Sequence, residues 1–145
     1  VHVAIRRAMN LVAHQPSFRA IDMALESSEE PLYAQINSGR LEQVLLNLLL
    51  NASHASSQGS TVAIGTEDQG DHVLLSVSDT GDGIPAALLS KIFDPFFTTK
   101  EPGSGTGLGL SICHNIVTGF GGDIDVRSSE GEGTTFRITL LKAEM

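Results

Sequence analysis

Apolar residues along the chain change their spacing several times, and each change predicts an element. Ile5, Met9, Val12 and Ala13 recur at helical intervals, which predicts a short opening helix over Ile5 to His14. From Phe18 to Leu25 the spacing becomes an alternation. Phe18, Ala20, Asp22 and Ala24 lie against Arg19, Ile21, Met23 and Leu25, and one apolar face reads as a strand. Tyr33 to Asn37 reads as a second short strand that closes a hairpin-like pair with it. After Arg40 the steps are three and four. Leu41, Val44, Leu45, Leu48, Leu49, Ala52 and Ala55 form the apolar stripe of an amphipathic helix that ends near Gly59. Thr61 to Glu67 and Val73 to Asp79 read as strands around the turn Asp68-Gln69-Gly70-Asp71. Ser111 to Thr118 reads as a helix stopped by Gly119 and Gly121-Gly122. Asp123 to Arg127 and Thr134 to Leu141 read as a last strand pair joined by Glu130-Gly131-Glu132-Gly133. The pattern gives roughly three helices and six strands, a helical layer on one face of a mixed sheet.

Composition narrows the class. A length of 145 residues suits a single domain over 1–145, and 41% hydrophobic residues suffice for a packed core. Nine Lys and Arg stand against 17 Asp and Glu, a net charge of −8, which disfavours a phosphate-backbone partner such as nucleic acid. Cys113 is the only cysteine, so neither an internal disulfide nor a cysteine-rich zinc site is available. There is no apolar stretch of membrane-spanning length, and Val1 to Asn10 lacks the layout of a signal peptide. These features point to a soluble domain of a reducing compartment, cytoplasmic and without direct membrane contact.

Three constellations suggest chemistry. Asn47 and Asn51 are four residues apart and share a helical face, although asparagine is a mediocre helix former. They are either a stripe facing solvent or a neighbouring loop, or carboxamide oxygens offered to a hard cation such as Mg²⁺. Asp79-Thr80-Gly81-Asp82-Gly83-Ile84-Pro85 sets a carboxylate at a strand end ahead of two permissive glycines. That carboxylate either accepts from an exocyclic amine, as on adenine, or closes an Asx-turn. Gly103-Ser104-Gly105-Thr106-Gly107-Leu108-Gly109-Leu110 runs into a helix N-terminus, where exposed N–H groups and the helix dipole attract anions. It lacks the lysine of a P-loop and the third glycine of a dinucleotide fold. A flexible linker is the other reading, but Leu108 and Leu110 lead straight into an apolar helix. Eleven of the 15 glycines lie between Gly81 and Gly133, so special backbone positions concentrate in the second half. Between Asp79 and Gly122 the only lysines or arginines are Lys91 and Lys100. A triphosphate there would be neutralised mainly by backbone donors and a metal, which returns the argument to Asn51.

In order, these segments resemble the ATP-binding catalytic domain of sensor histidine kinases, within the superfamily of gyrase B, Hsp90 and MutL. Arg40 to Ala52 resembles the N box and Asp79 to Gly83 the first glycine box. Ile92 to Lys100 resembles the F box, Gly103 to Leu110 the second glycine box, and Gly131 to Phe136 the closing Gly-x-Gly-Thr-x-Phe segment. The wording Phe96-Phe97-Thr98-Thr99-Lys100 is most similar to the nitrogen-regulation and C4-dicarboxylate branch. The resemblance implies an α+β two-layer sandwich, the Bergerat ATP-binding fold. Its sheet is mixed but mostly antiparallel, of about five strands, with three helices on one face and a mobile lid near Asp94 to Gly105.

By position the resemblance places ATP and Mg²⁺ on named residues. Asp79 would take the adenine amine, supported by Gly81, Gly83, Ile84 and Thr134, the last through a water. Asn51 would hold Mg²⁺, with Asn47, His54 and Ala55 nearby. Gly105, Thr106, Gly107, Leu108 and Gly109 would line the phosphates, with Phe93 and Thr99 contributing from the F box. Lys100 would either reach the γ-phosphate or remain a solvated lid lysine. His54 stands where many relatives carry lysine or arginine, so it would be a hydrogen-bonding contact in place of a fixed charge.

Position 47 separates the branches. The superfamily ATPases and the serine kinases place a glutamate base four residues before the metal asparagine, and here that place holds Asn47, which accepts no proton at neutral pH. The resemblance therefore implies a histidine kinase that transfers the γ-phosphoryl group to a histidine. The alternatives are a superfamily ATPase or an inactive nucleotide-binding regulatory module. None of His2, His14, His54, His72 and His114 lies in the phosphoacceptor frame, a His-Glu or His-Asp pair with proline five residues after the histidine. The expectation is a catalytic module without its dimerisation and histidine-phosphotransfer domain. Its partners would be that domain and a response regulator receiver domain, with the isolated domain a monomer and the full-length protein a homodimer.

Overall fold

The computed structural model describes residues 2–13, 22–26, 33–55, 61–81, 83, 87, 92, 109–129 and 132–143. In chain order the elements are α1 (His2–Ala13), β1 (Asp22–Glu26), α2 (Ser38–Ala55), β2 (Thr61–Asp68), β3 (His72–Asp79), α3 (Gly109–Gly119), β4 (Asp123–Ser129) and β5 (Gly133–Leu141). The strands form one five-stranded sheet in the order β1-β2-β3-β5-β4. Only the β1–β2 pair is parallel; the other three are antiparallel. A mixed, mostly antiparallel sheet under three helices is the expected architecture.

Alternation in β2, β3 and β5 sends every second side chain into the core. Val62 and Ile64, then Val73, Leu75 and Val77, then Phe136, Ile138 and Leu140 are all buried. The stripe of α2 covers them with Leu41, Val44, Leu45, Leu48, Leu49 and Ala52. Helix α1 packs on one flank of α2 and adds Ile5 and Ala8 to the core, while α3 lies over β4 and on α2. The start of α2 is fixed by a side-chain cap, the Asn37 Oδ1 accepting from Arg40 N at 3.2 Å. It is described as far as Ala55, and the end expected near Gly59 lies outside the described residues. Helix α3 ends where Gly122 N donates to Val117 O at 3.0 Å.

One pairing differs from the sequence reading. Residues 33–37 are not a strand and do not pair with β1. They alternate in exposure but form a single bridge, Ala34 to Lys142, with Gln35 N donating to Leu141 O and Ala143 N to Tyr33 O, both at 2.8 Å. Strand β1, observed at Asp22–Glu26, instead pairs in parallel with β2, Asp22 opposite Thr61 and Glu26 opposite Gly65. A parallel neighbour requires a crossover connection, and α2 supplies it. The strand expected from Phe18 is thus described only from Asp22 onward.

Candidate functional site

The inner stripe of the sheet changes chemistry at one end. In register, Leu75 faces Ile138, Val77 faces Phe136, and Asp79 faces Thr134. Continuing onto β4, Ile138 faces Ile124, Phe136 faces Val126, and Thr134 faces Ser128. Asp79, Thr134 and Ser128 therefore form a polar row on the face that is otherwise apolar. Asp79 is 6% exposed and Thr134 4%. Buried polar groups cost free energy unless hydrogen-bonded, and these are bonded. The Asp79 Oδ1 accepts from Gly81 N at 2.9 Å, so the Asx-turn reading of this residue holds for one oxygen. Ser128 Oγ donates to the Gly133 carbonyl at 2.9 Å and lies 2.9 Å from Thr134 Oγ1.

Two glycines shape this end. Gly133 has φ of +110°, and a Cβ there would run into the backbone oxygen of Asp79 and the Cα of Thr80. Its bare Cα lets β5 close directly on the strand end that carries the carboxylate. Gly83, with φ of +76°, turns the chain just beyond Asp79, a conformation that other residues rarely adopt.

The asparagine pair lies on one face of α2, both side chains half-buried. Asn47 hydrogen-bonds the thiol of Cys113 on α3, and Cys113 Sγ also donates to Val44 O at 3.7 Å. Burial pushes the Cys113 thiol up to about 12, with the Asn47 hydrogen bond opposing the shift. Asn47 thus reaches α3 while remaining only half-buried. An open groove on the outer surface of the helical layer, lined by Leu11, Glu42, Leu46 and Leu50, shares only Asn47 with the candidate site.

The structure brings Asp79, Gly81, Gly83 and Thr134 together at one end of the sheet, and it carries Asn47 and Asn51 on the covering helix. Gly109 opens α3. Ile84, Phe93, Thr99, Lys100, Gly105, Thr106, Gly107 and Leu108 lie outside the described residues, as do the lid segment 94–105 and the side chains of His54 and Ala55. Ser128 was not anticipated. Its signal was parity, since Ile124, Val126 and Ser128 share one face of β4. Among the described residues, no three His, Cys, Asp or Glu side chains converge. Among them, too, no helix is long and apolar enough to cross a membrane.

Comparison with known proteins agrees with this geometry. Residues 36–144 match the family described as histidine kinase-, DNA gyrase B-, and HSP90-like ATPase. The sensor histidine kinase ZraS of Escherichia coli (strain K12) is 41% identical over 140 residues, covering 97% of this chain and 30% of ZraS. The chain thus spans less than a third of the length of that relative. The solved nucleotide-free catalytic domain of histidine kinase ThkA superposes with a TM-score of 0.87 at 37% identity, covering 98% of this chain and 92% of that one. ThkA in complex with the response regulator protein TrrA matches with a TM-score of 0.83 at 33% identity, over 99% of this chain and 40% of that one. The chain belongs to the histidine kinase-, DNA gyrase B- and HSP90-like ATPase family, in its histidine-kinase catalytic form.

Proposed function

We propose that this domain binds ATP with Mg²⁺ and transfers the γ-phosphoryl group to a histidine on a dimerisation domain, for relay to an aspartate of a response regulator receiver. The observation that carries the reading is the buried carboxylate of Asp79 among hydroxyls, where the fold otherwise places apolar side chains. A carboxylate there accepts hydrogen bonds and suits the exocyclic amine of adenine, with Thr134 beside it. Asn51 offers a carboxamide oxygen to Mg²⁺. One such oxygen suits this cation, which takes few protein ligands and completes its shell with phosphate oxygens and water. When bound, Mg²⁺ supplies neutralisation of the charge on the β- and γ-phosphates.

The remaining roles fall to the backbone. By the resemblance, the N–H groups of residues 105–109 would cradle phosphate ahead of α3, and His54, Lys100 and Thr99 are assigned to the same end of the nucleotide. Phosphoryl transfer is mainly positioning and charge stabilisation, so such a site is adequate. In the transfer, the bond from the γ-phosphorus to the ADP oxygen breaks as the bond to the histidine nitrogen forms, and ADP leaves with the electron pair. Asn47 is no base and is engaged with Cys113. The acceptor histidine must therefore bring its own activation, which favours a kinase over a hydrolase. The Phe-Phe-Thr-Thr-Lys wording at 96–100 favours the nitrogen-regulation and C4-dicarboxylate branch. The setting we propose is a cytoplasmic module of a homodimeric sensor protein.

The test is Mg²⁺-dependent ATP binding by the domain and by Asp79→Asn, with hydrolysis and phosphotransfer measured alongside. A hydrogen bond to a charged group contributes about 1.5–3 kcal/mol, so the variant should bind roughly 10- to 100-fold more weakly. ATP turnover should be negligible alone, and label should reach a dimerisation domain supplied in trans. Brisk hydrolysis by the domain alone would put it in the ATPase branch.

A further inference from the structure

Ser128 has no place in any of the motifs, yet it decides how Thr134 presents itself. It sits opposite Thr134 across β4 and β5, and Thr134 sits opposite Asp79 across β5 and β3. Ser128 Oγ donates to the Gly133 carbonyl at 2.9 Å. A serine hydroxyl carries one proton. With that proton on Gly133 O, the 2.9 Å contact between the two hydroxyls has Thr134 as its donor. The Thr134 proton is thus directed along the row toward Ser128, and its oxygen turns lone pairs toward the Asp79 side. An ionised carboxylate is also acceptor-only. Side by side, Asp79 and Thr134 offer acceptors and no proton.

We infer that Ser128 is a positioning residue that locks Thr134 as an acceptor and so selects a purine with a 6-amino group over one with a 6-oxo group. The inference rests on reading this row as the base-binding end of a nucleotide site. A 6-amino group donates directly into such a row. A 6-oxo group meets only acceptors and leaves a buried oxygen unpaired, the arrangement that gives polar sites their strongest discrimination. Without Ser128 Oγ, the Thr134 hydroxyl rotates freely and can donate to an oxo group.

The experiment compares Mg²⁺-dependent binding of ATP and inosine triphosphate by isothermal titration, for the parent domain, Ser128→Ala and Ser128→Thr. The parent should prefer ATP. In Ser128→Ala the ratio of the two affinities should narrow about fivefold, the worth of one net neutral hydrogen bond. Ser128→Thr, which keeps the hydroxyl, should restore it. Thr134→Val should narrow the ratio from the other end of the same bond and, with Ser128→Thr, serves if Ser128→Ala does not fold; the double variant should narrow it no further. A merely structural serine would weaken both nucleotides alike, so an unchanged ratio in Ser128→Ala overturns the inference while leaving the nucleotide site intact. A parent domain that binds neither nucleotide overturns the site reading itself, and the inference with it.

Discussion

Three rows of side chains cross the inner face of the sheet from β3 over β5 to β4. Leu75, Ile138 and Ile124 form one, Val77, Phe136 and Val126 the next, and Asp79, Thr134 and Ser128 the last. All three share the same parity and the same register, and α2 lies over the stripe they form. Backbone geometry therefore does not distinguish them; side-chain chemistry does. The two apolar rows supply burial, at about 25 cal/mol per Å² removed from water. The polar row contributes little of that and is tolerated because Ser128 and Thr134 hydrogen-bond each other, Asp79 accepts from the Gly81 backbone and Ser128 donates to that of Gly133. Stability and recognition thus occupy adjacent rungs of one ladder, two residues apart along each strand.

That division can be broken from either side. Phe136→Ala empties the middle of the apolar rows and should cost about 3–5 kcal/mol, seen as a lower urea midpoint. The ATP preference of the protein that remains folded should not change. Gly133→Ala should damage both properties together, because its Cβ meets Asp79 O and a positive φ is forced on alanine. The strain should cost about 1–3 kcal/mol, and titration should show weaker ATP binding as the row is pushed apart. Thr134→Val makes the polar row more like its neighbours. Its stability should stay within about 1 kcal/mol of the parent, while ATP affinity drops several-fold.

The smallest effect belongs to the far end of the sheet. There Lys142 Nζ lies 2.7 Å from Asp68, and with the Gly70 N–H it holds the Asp68 carboxyl below its usual value of 3.8. A carboxyl whose folded pKa is depressed stabilises above its unfolded value, and that contribution is lost as pH falls through the folded one. Both partners are partly exposed, so solvent screens the pair. Asp68→Asn should match the parent in denaturation midpoint at neutral pH to within experimental scatter. Any difference should shrink further as the parent is taken below about pH 4.

Local pattern made much of this legible. Helix α2 could be read from steps of three and four because its stripe faces a single sheet. The strands β2, β3 and β5 could be read from alternation because only one of their faces is buried. Asp79 stood out as a carboxylate that ends an apolar alternation. What failed depended on partners distant in the chain. Residues 33–37 do alternate, but their backbone hydrogen bonds go to Leu141 and Ala143, more than a hundred residues on, and no local window reveals that. Strand β1 is a strand as its alternation predicts, but its pairing with residues 33–37 fails for the same reason, since its partner lies beyond a whole helix. Ser128 escaped notice because a serine in an exposed edge strand is unremarkable until the register sets it against Thr134.

Strand β4, which brings Ser128 to the site, also forms one edge of the sheet. Its outward positions carry Asp123, Asp125 and Arg127, all exposed, and Asp125 is paired with Arg137 at 3.1 Å. An edge presents unused N–H and C=O groups that could template a foreign strand, and charged side chains along it make such pairing unfavourable. A second copy approaching edge to edge would bring its own aspartates against these, on a chain that already carries a net charge of −8. The consequence is colloidal. Crowded beside its own kind, the domain offers along β4 an edge that repels a second β4.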